Sequence, residues 1–293
     1  MQIVSKGLKF TYNKKTEFSQ NALNDVTLTI NEGDFFGIIG QTGSGKSTFI
    51  QHLNGLIKAQ EGELYVGEYN LSAGVKSDGK KLKELRSKVG MVFQYPEYQL
   101  FADTVFEDVA FGLKNFFTNL TDEEIAVRVK RALELVGLNF FEIKDRSPFE
   151  LSGGQKRRVA IAGVLVSEPE VLVLDEPVAG LDPVGKRQLM ELLHNLHGQS
   201  VKTIIIVSHD MDEVCENCSR VALFLGGKSI FVDTPSVLFS KYSVVTDNRL
   251  ELPLTSKIAK SLQDLSIDLN TDYKTDNLIA RIDKVYKEMI NKR

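Results

Sequence analysis

Only two cysteines occur in the 293-residue chain, so no disulfide framework can support its fold. They stand as Cys215-Glu216-Asn217-Cys218, a spacing that also serves redox and metal sites, but no second pair and no partnered histidine completes a ligand set. Buried thiols in a reducing compartment are the simpler expectation. Long apolar runs are missing as well. Val171 to Leu174 and Val221 to Leu225 are strand-sized, far below the roughly 20 residues of a membrane span. Met1-Gln2-Ile3-Val4-Ser5 has no signal-peptide pattern, so a membrane role is expected to come through a partner. There is no excess of positive charge either. The net charge of −3 and a pI near 5.9 argue against nucleic acid as a partner held by bulk charge. What remains is 42% hydrophobic and 26% charged, an ordinary globular composition long enough for one large domain and a small one.

The most informative stretch is Gly40-Gln41-Thr42-Gly43-Ser44-Gly45-Lys46-Ser47, which fits G-x-x-x-x-G-K-[ST]. Phe35 to Ile39 before it has strand character, and Thr48 to Leu53 after it can continue as a helix. Backbone N–H groups at such a junction point at a bound anion. Gly40, Gly43 and Gly45 let the chain approach phosphate oxygens, Lys46 offers a mobile charge to the terminal phosphates, and Ser47 offers a hydroxyl to magnesium. A nucleoside triphosphate is the expected ligand.

Strands are expected at Ile3 to Phe10, Leu23 to Ile30, Asp34 to Ile39, Gly62 to Val66, Val89 to Phe93, Val171 to Leu174 and Thr203 to Val207, with a final hairpin across Gly226-Gly227. Gly74 to Lys81 reads as a polar loop. Thr104…Glu107 and Thr121…Glu124 predict helix starts in a separate helical lobe, and Ser152…Gln155 predicts another. Asp182 followed by Pro183 is a favourable cap and first helical residue. From about Tyr242 the texture changes to two periodic segments, Leu254 to Leu265 and Lys274 to Ile290, joined through Asn270 and Asp272.

Chemistry gathers at strand ends. Asp175 closes an apolar strand, where a carboxylate reaches the phosphate-loop edge of a parallel sheet and can hold magnesium. Glu176, pointing elsewhere, can orient the attacking water. Gln94 and His209 also follow strands. Gln94 could reach the metal and the water and His209 the γ-phosphate, though each could equally be ordinary polar surface. Tyr12 is either an edge tyrosine or a stacking platform for a base. The reaction implied is in-line attack of water on the γ-phosphate.

Taken together, Gly40 to Ser47, Gln94, Leu151-Ser152-Gly153-Gly154-Gln155, Val171 to Glu176, Ala179-Gly180-Leu181-Asp182 and His209 resemble the nucleotide-binding domain of ATP-binding cassette proteins, in family order over residues 1 to about 240. The resemblance implies an α/β fold: a P-loop NTPase core, an N-terminal antiparallel β subdomain, a helical signature subdomain and a small C-terminal helical extension. It divides the chain into a nucleotide-binding domain, 1–241, and a C-terminal helical extension expected to serve dimerisation, 242–293. It implies ATP and Mg²⁺ as ligands, Tyr12 on adenine, Gly40 to Thr48 on the phosphates, and Ser47, Gln94 and Asp175 at the metal. Ser152, Gly153, Gly154 and Gln155 would serve a partner's ATP, and Asp182 would couple the two sites. The run Gln94-Tyr95-Pro96-Glu97-Tyr98-Gln99-Leu100-Phe101 narrows the resemblance to the second ATPase of energy-coupling factor transporters. That implies a sibling ATPase (or a second copy), a transmembrane coupling subunit and, indirectly, a substrate-binding membrane subunit. The chain would then sit at the cytoplasmic face of the cell membrane and drive uptake of vitamins or other micronutrients. A cobalt or nickel importer shares these features, and a soluble cassette acting as a switch on DNA or ribosomes is the alternative of another class. Val178 departs from the family, where threonine or serine is usual.

Overall fold

In the computed structural model the structure describes residues 1–76, 78–247, 250–264, 267, 269 and 273–290. Its strands are β1 (Ile3–Tyr12), β2 (Gln20–Ile30), β3 (Phe35–Ile39), β4 (Glu61–Val66), β5 (Tyr69–Asn70), β6 (Val89–Val92), β7 (Val171–Asp175), β8 (Thr203–Val207), β9 (Arg220–Leu225) and β10 (Lys228–Asp233). They build two sheets. One is antiparallel in the order β2-β1-β4-β5; the other runs β10-β9-β3-β8-β7-β6 and is parallel except for β10.

The parallel strands are short and apolar because both their faces are covered. In β3, Phe35 and Ile39 join the core under the helices, while Phe36 and Ile38 face the antiparallel sheet and the helix Lys46–Leu53. β7 divides the same way: Leu172 and Leu174 on the first face, Val171 and Val173 on the second. Each such burial is worth about 1.5–3 kcal/mol. Gly37, between the phenylalanines and isoleucines of β3, leaves room for a thiol: a Cβ there would lie 2.9 Å from Cys218 Sγ. Cys215 and Cys218 are thus buried thiols joined in no disulfide, and burial pushes the Cys218 thiol pKa up. They pack the sheet.

The helices Val105–Phe116 and Asp122–Leu135 lie against Gly153–Leu165 and share one core with the sheet. Thr104, Thr121 and Ser152 cap these three helices, as their spacing predicts. The polar loop expected at Gly74 to Lys81 is shorter than that: Asp78 caps a helix over Gly79–Lys88, of which only Leu85 is buried. Ser77 of that loop lies outside the described residues. The tail forms Tyr242–Asp247, Leu254–Asp264 and Thr275–Ile290. Leu265, Asn270 and Asp272 of the expected tail also lie outside the described residues. The chain's expected location at the cytoplasmic face of the cell membrane needs correction. Among the described residues no helix is long and apolar enough to cross a membrane. The 16 residues of Thr275–Ile290 rise about 24 Å, short of a roughly 30 Å hydrocarbon core, so the chain supplies no span of its own there.

Candidate active site

Parallel pairing puts the carboxyl ends of β3, β8, β7 and β6 on one edge. β3 leads into the phosphate loop, β8 into Ser208-His209, β7 into Asp175-Glu176 and β6 towards Gln94. In the loop, φ is 145° at Gly40, 81° at Gly43 and 102° at Gly45, values that favour glycine. A Cβ on Gly40 would strike Phe224 O, and one on Gly45 would strike Ala22 O. Lys46 is buried and folds back, donating from Nζ to Gly40 O at 2.6 Å and Gln41 O at 2.9 Å. Burial pushes its pKa down, while Glu176 and Asp175 oppose that. The Ser44 hydroxyl is buried without a partner. A lysine bonded only to its own loop and an orphaned hydroxyl are what a phosphate-shaped anion would satisfy.

The two carboxylates behind the loop take different directions. Asp175 ends β7 on the face of the phosphate-loop helix; burial raises its pKa, and the nearby Ser47 hydroxyl opposes the rise. Glu176 lies at φ 48°, a left-handed conformation costing about 1–2 kcal/mol in a residue with a side chain. Its N–H donates to Val207 O at 2.9 Å, and its carbonyl accepts from Ala179 N–H at 3.1 Å. The turn aims Glu176 at two other strand ends. Gln94 Nε2 donates to Glu176 Oε2 at 2.9 Å, and His209 Nδ1 lies 3.4 Å from Oε1. Gln94 and His209, each readable as plain surface, meet on one carboxylate.

The remaining expected residues lie at three other places. Tyr12 OH is 3.3 Å from Thr48 Oγ1 on the phosphate-loop helix, with Phe10 edge-on to its ring at 4.8 Å. Beneath it His52 is fully buried, its Nδ1 2.7 Å from Thr48 O and its pKa lowered by burial. Ser152, Gly153 and Gly154 are exposed, and the capping bonds join Ser152 to Gln155. Asp182 accepts the Gly185 N–H at 2.7 Å and caps Pro183–Leu196.

The sequence profile of the ABC transporter family matches residues 23–179. The energy-coupling factor transporter ATP-binding protein EcfA2 of Clostridium tetani is 43% identical over 290 residues, covering 99% of this chain and 96% of that protein. Its counterpart in Clostridioides difficile is 45% identical over 276 residues, 94% of either chain. The chain belongs to the ABC ATPases of energy-coupling factor transporters. Among solved structures, CbiO1 of Clostridium perfringens, part of the ABC transporter complex CbiONQ, is 36% identical with a TM-score of 0.73 over 88% of this chain and 98% of that one. The cassette MJ0796, solved as a dimer in a post-hydrolysis state with ADP and phosphate, is 31% identical with a TM-score of 0.69 over 80% of this chain and 98% of that one. The α/β P-loop architecture with an N-terminal β subdomain and helical subdomains is that of these ABC ATPases.

Sequence reasoning about this ABC ATPase missed Arg157. Its guanidinium is buried and donates to Glu97 Oε2 (3.0 Å), Glu97 Oε1 (2.9 Å), Pro177 O (3.1 Å) and Ala179 O (3.0 Å). One side chain thus joins the helix after the signature, the segment after Gln94 and the turn after Glu176. Arg157 shares a helix face with Ile161 and Leu165, a signal present in the sequence. Val178, where the family usually has a hydroxyl, packs in the apolar core. Magnesium fits the donors available. Among the described residues no group of three His, Cys, Asp or Glu could hold a metal, so an ion held by Ser47, Gln94 and Asp175 would need phosphate oxygens to complete its shell.

Proposed function

We propose that this ABC ATPase hydrolyses ATP at a site shared with a sibling ATPase and couples turnover to uptake of a vitamin or other micronutrient through a transmembrane coupling subunit. The observation that carries the reading is Glu176, held by Gln94 and His209 at the strand end that also carries Asp175. Glu176 orients the attacking water, His209 supports the γ-phosphate, and Gln94 senses both metal and water. Lys46 leaves Gly40 O and Gln41 O for the terminal phosphates, Tyr12 stacks on adenine, and Gly40 to Thr48 cradle the phosphate chain. Magnesium, held by Ser47, Asp175 and Gln94, would neutralise charge on the transferring phosphoryl group.

Pairing with a sibling rests on Ser152 to Gln155, an exposed helix start without acidic residues in its first turn, and on Asp182. The extension 242–293 supports the pair through Ile279, Ile282, Tyr286 and Ile290, an exposed apolar stripe on Thr275–Ile290. The coupling subunit has a face to meet. Tyr95, Tyr98, Phe101 and Phe111 are exposed, Phe101 and Phe111 pack edge-on at 4.9 Å, and Asp108 Oδ2 fixes the turn by accepting the Phe101 and Ala102 N–H groups. The names of the curated relatives support the transport reading.

The test is Glu176→Gln in the assembled ATPase pair, measuring ATP binding and phosphate release. Binding should persist while turnover falls by about 10²–10⁴-fold. Turnover within a factor of three of the parent would remove Glu176 from its role.

A further inference from the structure

Two helices of the C-terminal extension begin at residues whose own side chains cannot accept a capping bond. Pro253 and Lys274 hold the cap positions, since their carbonyls accept the first helical bonds from Lys257 N–H (3.0 Å) and Leu278 N–H (2.9 Å). Neither side chain can accept a hydrogen bond, so each first turn lacks an acceptor at its cap position. Both acceptors come from one distant element. Asp212 Oδ1 accepts the Leu254 N–H at 2.7 Å, and Glu216 Oε1 accepts the Thr275 N–H at 2.6 Å. Asp212 and Glu216 are one turn apart on the helix Met211–Asn217, and Cys215 Sγ of that helix donates to Tyr273 O at 3.3 Å. Each carboxylate also faces the positive end of a helix dipole.

That helix starts two residues after His209. Asp210 caps it, accepting Glu213 N–H at 3.3 Å on Oδ1 and Lys186 Nζ at 3.0 Å on Oδ2. Ser208, on the other side of His209, donates to Glu213 Oε2 at 3.2 Å and accepts the Asp210 N–H at 3.0 Å. At the far end His194 Nε2 lies 2.7 Å from Asn217 Oδ1. Both neighbours of His209 are therefore tied to Met211–Asn217, and Asp210 is tied as well to the helix Pro183–Leu196 that Asp182 caps. The His209 ring itself is 70% exposed, so its place at Glu176 depends on its backbone.

We propose that Asp212 and Glu216 are positioning residues through which the C-terminal extension sets His209 against Glu176. The inference rests on the reading of His209 given above. A displacement of about 1 Å in a catalytic group can cost as much as 10²-fold in rate, and a stiff single helix passes a shift at one end to the other. The extension thus acts on the chemistry of its own chain, separately from any part it takes in pairing.

The experiment compares four full-length chains in the assembled ATPase pair: the parent, Asp212→Ala/Glu216→Ala, His209→Ala, and all three substitutions together. The expected result is an about fivefold to tenfold lower kcat for the double variant with KM for ATP within about twofold, and no further loss when it is added to His209→Ala. Asp212→Asn/Glu216→Gln, which keeps both acceptor oxygens, should restore most of the kcat. An unchanged kcat, a loss fully additive with that of His209→Ala, or a loss that disappears when subunit concentration is raised would each overturn the proposal. If His209→Ala alone costs nothing, the reading of His209 fails instead. Should the double alanine chain not fold, Asp212→Ala and Glu216→Ala are read singly by the same criteria.

Discussion

At the start of Asp122–Leu135, Thr121 Oγ1 accepts the Glu124 N–H at 3.2 Å and Glu124 Oε2 accepts the Thr121 N–H at 2.8 Å. At the start of Gly153–Leu165, Ser152 Oγ and Gln155 Oε1 make the same exchange at 3.3 Å and 3.1 Å. The hydrogen bonding is alike; the charge is not. Asp122, Glu123 and Glu124 fill the first turn of one helix and answer its dipole, and the Thr121 bonds hold the Glu124 pKa down. The other helix has two glycines, a neutral glutamine and no acid there, so its positive end faces outward unanswered. A capping motif in sequence marks a helix start in both cases. Only the charge around it separates a start that completes itself from one that can take an anion from another chain.

The largest effect expected from probing this difference is at Arg157, which anchors the signature helix from within. Arg157→Ala leaves Glu97 half-buried without its cation and orphans the Pro177 and Ala179 carbonyls. Breaking such a pair costs about 3–5 kcal/mol, read as a lowered midpoint in urea unfolding. A cost below about 1 kcal/mol would mean that the pair is solvated and that the signature helix is anchored otherwise. Arg157→Lys keeps the charge but cannot form the fork, and should fall between the two.

Gln155→Glu gives the signature helix the charge that the Thr121 helix carries. The capping box can still close, so unfolding should shift by no more than about 0.5 kcal/mol. An added carboxylate that would face a partner-bound phosphate should cost about 1.4–2.7 kcal/mol, so turnover of the pair should fall by about 10–100-fold. ATP binding to the unpaired chain should not change. The mirror change, Glu124→Gln, should leave turnover as it is. Equal turnover in Gln155→Glu and the parent removes the electrostatic distinction between the two starts.

These contrasts also mark how far the sequence could be read. The phosphate loop, the apolar strands and the carboxylates at their ends are contiguous patterns, and backbone geometry alone carries them to one sheet edge. The helix Gly79–Lys88 was missed because it buries one residue, Leu85, and so has almost no apolar period. Arg157 shares a face with Ile161 and Leu165 but stands in Lys156-Arg157-Arg158, a run of three cations that hides the one pointing inward. The caps that Asp212 and Glu216 supply were beyond reach. Their partners lie 42 and 59 residues away, and a missing local cap does not say where the substitute will come from. Local chemistry is legible at short range, whereas what one segment does for another needs the fold.

The smallest effects give the cleanest version of the comparison. Thr121→Ala and Ser152→Ala each remove one cap from an exposed helix start, and each should lower unfolding stability by about 1 kcal/mol. On stability the two variants should be nearly indistinguishable, since the bonds lost differ by only 0.1 Å in length. On turnover they should part. Thr121→Ala leaves the ATPase of the assembled pair unchanged, while Ser152→Ala also removes a hydroxyl from the anion-facing end and lowers turnover by about tenfold, the equivalent of one charge-assisted hydrogen bond. Chemical denaturation and steady-state phosphate release on the same preparations supply both numbers. If the two variants lose turnover in equal measure, the loss follows helix stability, and Ser152 has no role that Thr121 lacks.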